Sequence, residues 1–105
     1  MKPVKDLEIE RNQTVSDLIK QFGSAGGFTA TKLAEGVDIY KTMLKQDCTK
    51  FLAFTANIIA TGTRGVIKDL VKNKMVDVII TTCGTLDHDL ARIWKDYYHG
   101  SFDAD

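Results

Sequence analysis

Residues 49–55, TKFLAFT, and residues 76–82, VDVIITT, decide the fold. Each holds a short, continuous apolar run. Strands with apolar side chains on both faces belong in a parallel sheet covered on both sides. Between the two runs, Val66, Ile67, Leu70 and Val71 fall on one helical stripe. Lys72-Asn73-Lys74 then ends that helix with cations where its dipole favours them. Strand, helix and strand across 49–82 make one βαβ unit of the expected size. Leu86, Leu90, Ile93 and Tyr97 continue beyond it at helical spacing, which predicts a further helix.

Upstream of this unit the pattern is helical. Thr14-Val15-Ser16-Asp17 fits a capping box, and Val15, Leu18, Ile19 and Phe22 form an apolar stripe behind it. Gly23 is the expected stop, and GSAGG (23–27) reads as a flexible connector, since it lacks both GxGxxG spacing and a preceding strand. A second helix is predicted from about Thr29 to about Gln46, carried by Ala30, Leu33, Ala34, Val37, Tyr40 and Leu44. Gly36 inside it costs roughly 1 kcal/mol against alanine and so points to close packing. Residues 1–13 are polar, hold the one proline, and read as an arm.

Composition narrows the function. The 105 residues suffice for one domain or a piece of one. Basic and acidic residues number 14 each, so no basic field exists to hold a nucleic acid or an anionic membrane by electrostatics. No apolar run is long enough to span a membrane, and MKPVKDLEIERNQ lacks the apolar centre of a secretion signal, so the cytoplasm is the expected location. Cys48 and Cys83 lack metal-site spacing and are expected as free thiols.

In open α/β sheets, ligands sit beyond the carboxyl ends of the strands. TANIIATG (55–62) and TTCGTLDHD (81–89) occupy those places. Both are small, hydroxylated and glycine-containing, which lets backbone N–H groups approach a nucleotide or phosphate. The same composition also suits ordinary βα turns. Only two strands are evident, and the chain stops at GSFDAD without a closing element, so the sheet is expected to be part of a larger one.

The stretches LIKQFGSAGGFTATKLAEGVDIYKTML, DCTKFLAFTANIIATGTRGVIKDLV, NKMVDVIITTCGTLDHDLAR and YYHGSFDAD resemble the N-terminal portion of deoxyhypusine synthases. They run in the family's order and spacing from about residue 17, and GTLDHD is more similar to the archaeal-type branch than to the animal one. The resemblance implies an α/β fold with a Rossmann-like parallel sheet, incomplete in this chain and completed by another chain or a missing segment. Residues 14–105 would be the N-terminal part of an NAD-binding domain. It implies a tetramer-like assembly that uses NAD to oxidise spermidine and moves the aminobutyl group to a lysine of the initiation factor 5A precursor.

Carried over by position, Ala56, Asn57 and Ala60 match the NAD-contacting loop, although some members have serine at 56 and 60. The same resemblance implies that Thr82, Cys83 and Gly84 lie along the dinucleotide, with Gly84 allowing close backbone approach. Asp87 and His88 match acids near the polyamine and the nicotinamide end. A carboxylate holds a polycation through charge-assisted hydrogen bonds, and His88 can accept from a ribose hydroxyl or donate to one. Without the resemblance, His88 and Asp87 read as residues of a helix's first turns, Asp89 as an acid placed by the helix dipole, and Cys83 as a small packing residue. Arg64 reads as an exposed arginine, and Trp94, Tyr97, Tyr98 and Phe102 as core or subunit interface.

The family's covalent step needs an imine-forming lysine, which must be desolvated. The eleven lysines here lie in polar contexts, so that lysine is expected on a partner chain. The alternative is a non-catalytic regulatory or structural subunit of a deoxyhypusine synthase complex, or a truncated form of the enzyme.

Overall fold

The computed structural model describes residues 2–101; Phe102, the last member of the aromatic group, lies outside them. The chain divides into two units after Cys48.

The first unit is a pair of helices with the arm laid on it. Helix α1 spans Val15–Phe22, and the Thr14 side chain caps it by accepting from the Asp17 N–H at 3.2 Å. The Asp17 carboxylate in turn accepts the Thr14 hydroxyl at 2.6 Å, a side-chain version of the reciprocal box. Helix α2 spans Phe28–Lys45, one residue earlier at each end than its periodicity suggested. The two pack where Ala34, 6% exposed, meets Gly23. Thr31 ties them further by donating its hydroxyl to the Phe22 carbonyl at 3.4 Å.

The GSAGG connector is an ordered turn. Gly26 has φ 73°, and a methyl group there would sit 2.8 Å from Val4 Cγ2, so both backbone and space require glycine. The arm that brings Val4 is held by Lys5, whose N–H donates to the Ser24 carbonyl at 3.0 Å. Gln21 then grips Glu8 by both backbone groups, accepting its N–H at 2.7 Å and donating to its carbonyl at 2.9 Å.

The second unit is the expected βαβ arrangement. Strands β1 (Phe51–Ala53) and β2 (Val78–Ile80) pair in parallel, with Phe51 opposite Val78, Leu52 opposite Ile79 and Ala53 opposite Ile80. Helix α3 (Thr63–Lys72) connects them, and helix α4 (Gly84–Trp94) follows β2. At the amino end, Lys50 and Asp77 set the register. Lys50 Nζ and its backbone N–H both reach Asp77 Oδ2, at 2.8 and 2.7 Å, and the Lys50 carbonyl accepts from the Asp77 and Val78 N–H groups. The Lys50 side chain is only 14% exposed, so the most enclosed lysine of this unit's sheet already carries a carboxylate partner.

Four points differ in detail from what the sequence pattern suggests. The strands are parallel and apolar, yet the described residues do not cover them: Phe51 is 61% and Ile80 58% exposed. Trp94 and Tyr98 are also largely exposed, so of the two readings, core or subunit interface, they do not fit a core among the described residues. Beyond its chain neighbours and its own helix backbone, Gly36 has no atom within 4 Å of where a methyl group would stand, so close packing does not explain it among the described residues. Tyr97 lies past the end of α4, because the helix ends at Trp94 and Lys95 is extended.

Candidate functional site

The carboxyl ends of β1 and β2 open onto two loops that the structure joins to each other. From Phe54 the first loop passes into a short 3-10 turn, Ala56–Ile58. The Phe54 N–H donates to the Ile80 carbonyl at 3.1 Å, extending the strand pairing by one step. The Phe54 carbonyl accepts the Thr81 hydroxyl at 2.8 Å. With its proton spent there, Thr81 Oγ1 accepts from Thr85, 2.7 Å away. Thr82 Oγ1 accepts the Ala56 N–H at 3.2 Å.

Gly84 completes the join. A methyl group on it would lie 3.0 Å from Ala56 Cβ and 4.0 Å from the His88 ring. The sequence suggested a glycine that lets a ligand approach. The neighbour it admits is the first loop itself. Ala56, Thr82 and Gly84 thus lie together, and the Ala56 N–H already has an acceptor in Thr82.

The remaining site residues stand around this junction. Asn57 is exposed; its Oδ1 accepts from the Thr55 hydroxyl, while its amide N–H groups have no acceptor among the described residues. Ala60 donates its N–H to the Asn57 carbonyl at 3.2 Å, closing the turn. Cys83 is exposed at the start of α4 and makes no side-chain cap. Asp87 is exposed in the first turn of that helix, and its carboxylate has no hydrogen bond or ion pair among the described residues. His88 Nδ1 lies 3.0 Å from the Tyr97 hydroxyl, with the two rings edge to face.

Two contacts escaped the sequence reading. Arg64 is half-buried and pairs with Asp89 at 2.6 Å, so α3 and α4 are bridged by an ion pair. The helix dipole therefore does not fully explain Asp89, and Arg64 is not a loose surface arginine. Arg92 donates Nη1 to the carbonyls of Ile59 and Thr61, both at 2.7 Å. Nothing in sequence spacing signals that bond, since 33 and 31 residues separate the partners. Among the described residues no cluster of potential metal ligands occurs, and no helix is long and apolar enough to cross a membrane.

A βαβ unit with two small-residue loops joined beyond its parallel strands is an α/β protein whose candidate site lies at the strands' carboxyl rim. The family model for deoxyhypusine synthase matches residues 17–105. The chain is 60% identical over 100 residues to a probable deoxyhypusine synthase of Picrophilus torridus, covering 95% of this chain and 32% of that protein. Those of Thermoplasma acidophilum and Ignicoccus hospitalis are 55% and 43% identical, each match covering 33% of the relative and 96% or 98% of this chain. The chain belongs to the deoxyhypusine synthase family. It spans about a third of the length of the curated relatives it matches.

Proposed function

We propose that the chain is the NAD-binding, N-terminal part of a deoxyhypusine synthase that acts with a partner chain carrying the catalytic lysine. The observation that supports this reading is the junction of the 55–62 and 81–89 loops, made by Ala56, Thr82 and Gly84. Its residues suit a dinucleotide. Ala56, Ala60, Thr82, Cys83 and Gly84 are small enough to form a wall along it, and Asn57 brings amide donors that have no acceptor of their own. NAD bound there would supply the oxidant for spermidine.

The chain's own groups then bind and orient. Asp87 offers its carboxylate to a spermidine ammonium group, a charge-assisted contact. His88, steadied by Tyr97 through Nδ1, keeps Nε2 for a ribose hydroxyl or the nicotinamide end. The uncovered sheet and the exposed aromatic residues suit burial against further chains in a tetramer-like assembly. The aminobutyl group would pass to a lysine of the initiation factor 5A precursor.

Reconstitution tests this directly. The purified chain is mixed with spermidine, NAD and the factor precursor, with and without a candidate lysine-bearing partner. Transfer appearing only in the mixture, and lost in Asp87→Ala, is the expected result. Transfer by the isolated chain, trapped by borohydride on one of its own lysines, would refute it. A partner equally competent alone and merely accelerated by this chain would favour a regulatory subunit.

A further inference from the structure

The geometry points to Arg92 as the positioning residue of the candidate cofactor loop, holding the 3-10 turn in place and tying it to His88. This inference deepens the proposed cofactor reading and rests on it for the role, though not for the contact. The turn Ala56–Ile58 is short, and its closing bonds run from the N–H groups of Ile59, Ala60 and Thr61 back to Ala56, Asn57 and Ile58, at 2.9, 3.2 and 3.2 Å. Such a segment has little cooperativity, and past its end no backbone N–H among the described residues reaches the Ile59 carbonyl, while the Thr61 carbonyl accepts only that of Arg64, at 3.2 Å.

Arg92 meets that need from the third turn of α4. One nitrogen donates to the Ile59 and Thr61 carbonyls at 2.7 Å each, bracketing Ala60. A charged donor makes each bond stronger than a neutral one would. Ile59 is also 4% exposed, so the clamp sits beside the most buried side chain of this unit. The turn is therefore fixed on one side by packing and on the other by the guanidinium. Asn57, on the same turn, inherits its position from both.

The second arm of the link runs through Tyr97. The guanidinium carbon lies 5.9 Å from the Tyr97 ring centre, within cation–π range, and the Tyr97 hydroxyl lies 3.0 Å from His88 Nδ1. Arg92 thus touches the first loop directly and the His88 side of the second through one ring. It meets no ligand itself on this account; it acts through Asn57 and His88.

The test compares wild type, Arg92→Ala and Arg92→Lys, each assembled with the lysine-bearing partner. Amide hydrogen exchange is read at Ile59, Ala60 and Thr61, with Val66–Leu70 of α3 as internal reference. Arg92→Ala should speed exchange at the three turn amides by about tenfold or more, the effect of losing hydrogen bonds to a charged donor, and leave the reference unchanged. The KM for NAD should rise by about tenfold with little change in the KM for spermidine, a split that general loss of stability does not produce. Arg92→Lys, which keeps a charged donor of shorter reach, should recover part of both effects. Unchanged exchange in Arg92→Ala overturns the clamp. Faster exchange with an unchanged KM for NAD overturns the positioning role. If wild type binds no NAD, the cofactor reading fails, while the exchange result still decides whether Arg92 holds the turn.

Discussion

Gly84→Ala sets two effects of opposite sign against each other. Gly84 opens α4, and alanine is the better helix former by up to about 1 kcal/mol in a helix interior, less at an end. Against that, the new methyl carbon would sit 3.0 Å from Ala56 Cβ, where carbon atoms prefer roughly 3.5–4.0 Å. Ala56 cannot swing away as a long side chain would. Its Cβ is fixed to a backbone held by the Thr82 bond and the 3-10 turn. The two loops must part by about half an ångström, and overpacking of this kind costs about 1–3 kcal/mol. The net expectation is destabilisation of roughly 0.5–2 kcal/mol.

The Ala56→Gly exchange isolates the cause, because it removes the atom that the new methyl meets. Unfolding midpoints for wild type, Gly84→Ala, Ala56→Gly and the double variant, taken at equal protein concentration, give the coupling between the sites. That coupling should reach about 1 kcal/mol, with the double variant more stable than additivity allows. Stabilisation by Gly84→Ala alone, with additive behaviour in the double variant, would refute the idea that the loops are joined by this contact.

Other outcomes follow from single residues. Asn57→Ala should reduce the NAD-dependent rise in melting temperature by the equivalent of about 0.5–1.5 kcal/mol; an equal rise in both proteins would remove Asn57 from the site. Hydrogen bonds from the Lys50 side chain and then its backbone N–H hold the Asp77 carboxyl below its ordinary 3.8. A lowered folded-state pKa means that this contribution is present above the ordinary carboxylate range and disappears as pH falls through the folded value. Stability measured from pH 6 down to about 2 should thus fall more in wild type than in Asp77→Asn, and parallel curves would show that the pair is inert. Gly36→Ala should stabilise α2 by up to about 1 kcal/mol in the chain alone, where no neighbour stands within 4 Å. Destabilisation would reveal a surface packed against Gly36 that the described residues do not include.

The elements were legible because local chemistry specifies them. Thr14 and Asp17 marked the start of α1, the apolar stripe of 66–71 marked α3, and the β-branched run of 76–82 marked β2. The parallel pairing followed from their order. What pattern could not supply was the partner of each polar group across the fold. Lys50 fixes the register with a residue 27 positions away, and Arg92 seals a turn more than 30 positions upstream. Neither carries a periodic signal. Gly84 was recognised as a place of close approach, but composition alone does not say whether the approaching group is a ligand or a neighbouring loop. Tyr97 kept helical spacing with Leu90 and Ile93, yet the backbone turned extended at Lys95, and the ring met His88 as a consequence.

If the two joined loops form the cofactor site, hydrogen exchange with and without NAD will show it. The assembly with the lysine-bearing partner is labelled in deuterated buffer at saturating NAD. Within this chain, exchange should slow only at residues 55–62 and 81–88, with α1 and α2 unaffected. No protection in either loop, or protection centred on residues 28–45, would contradict it.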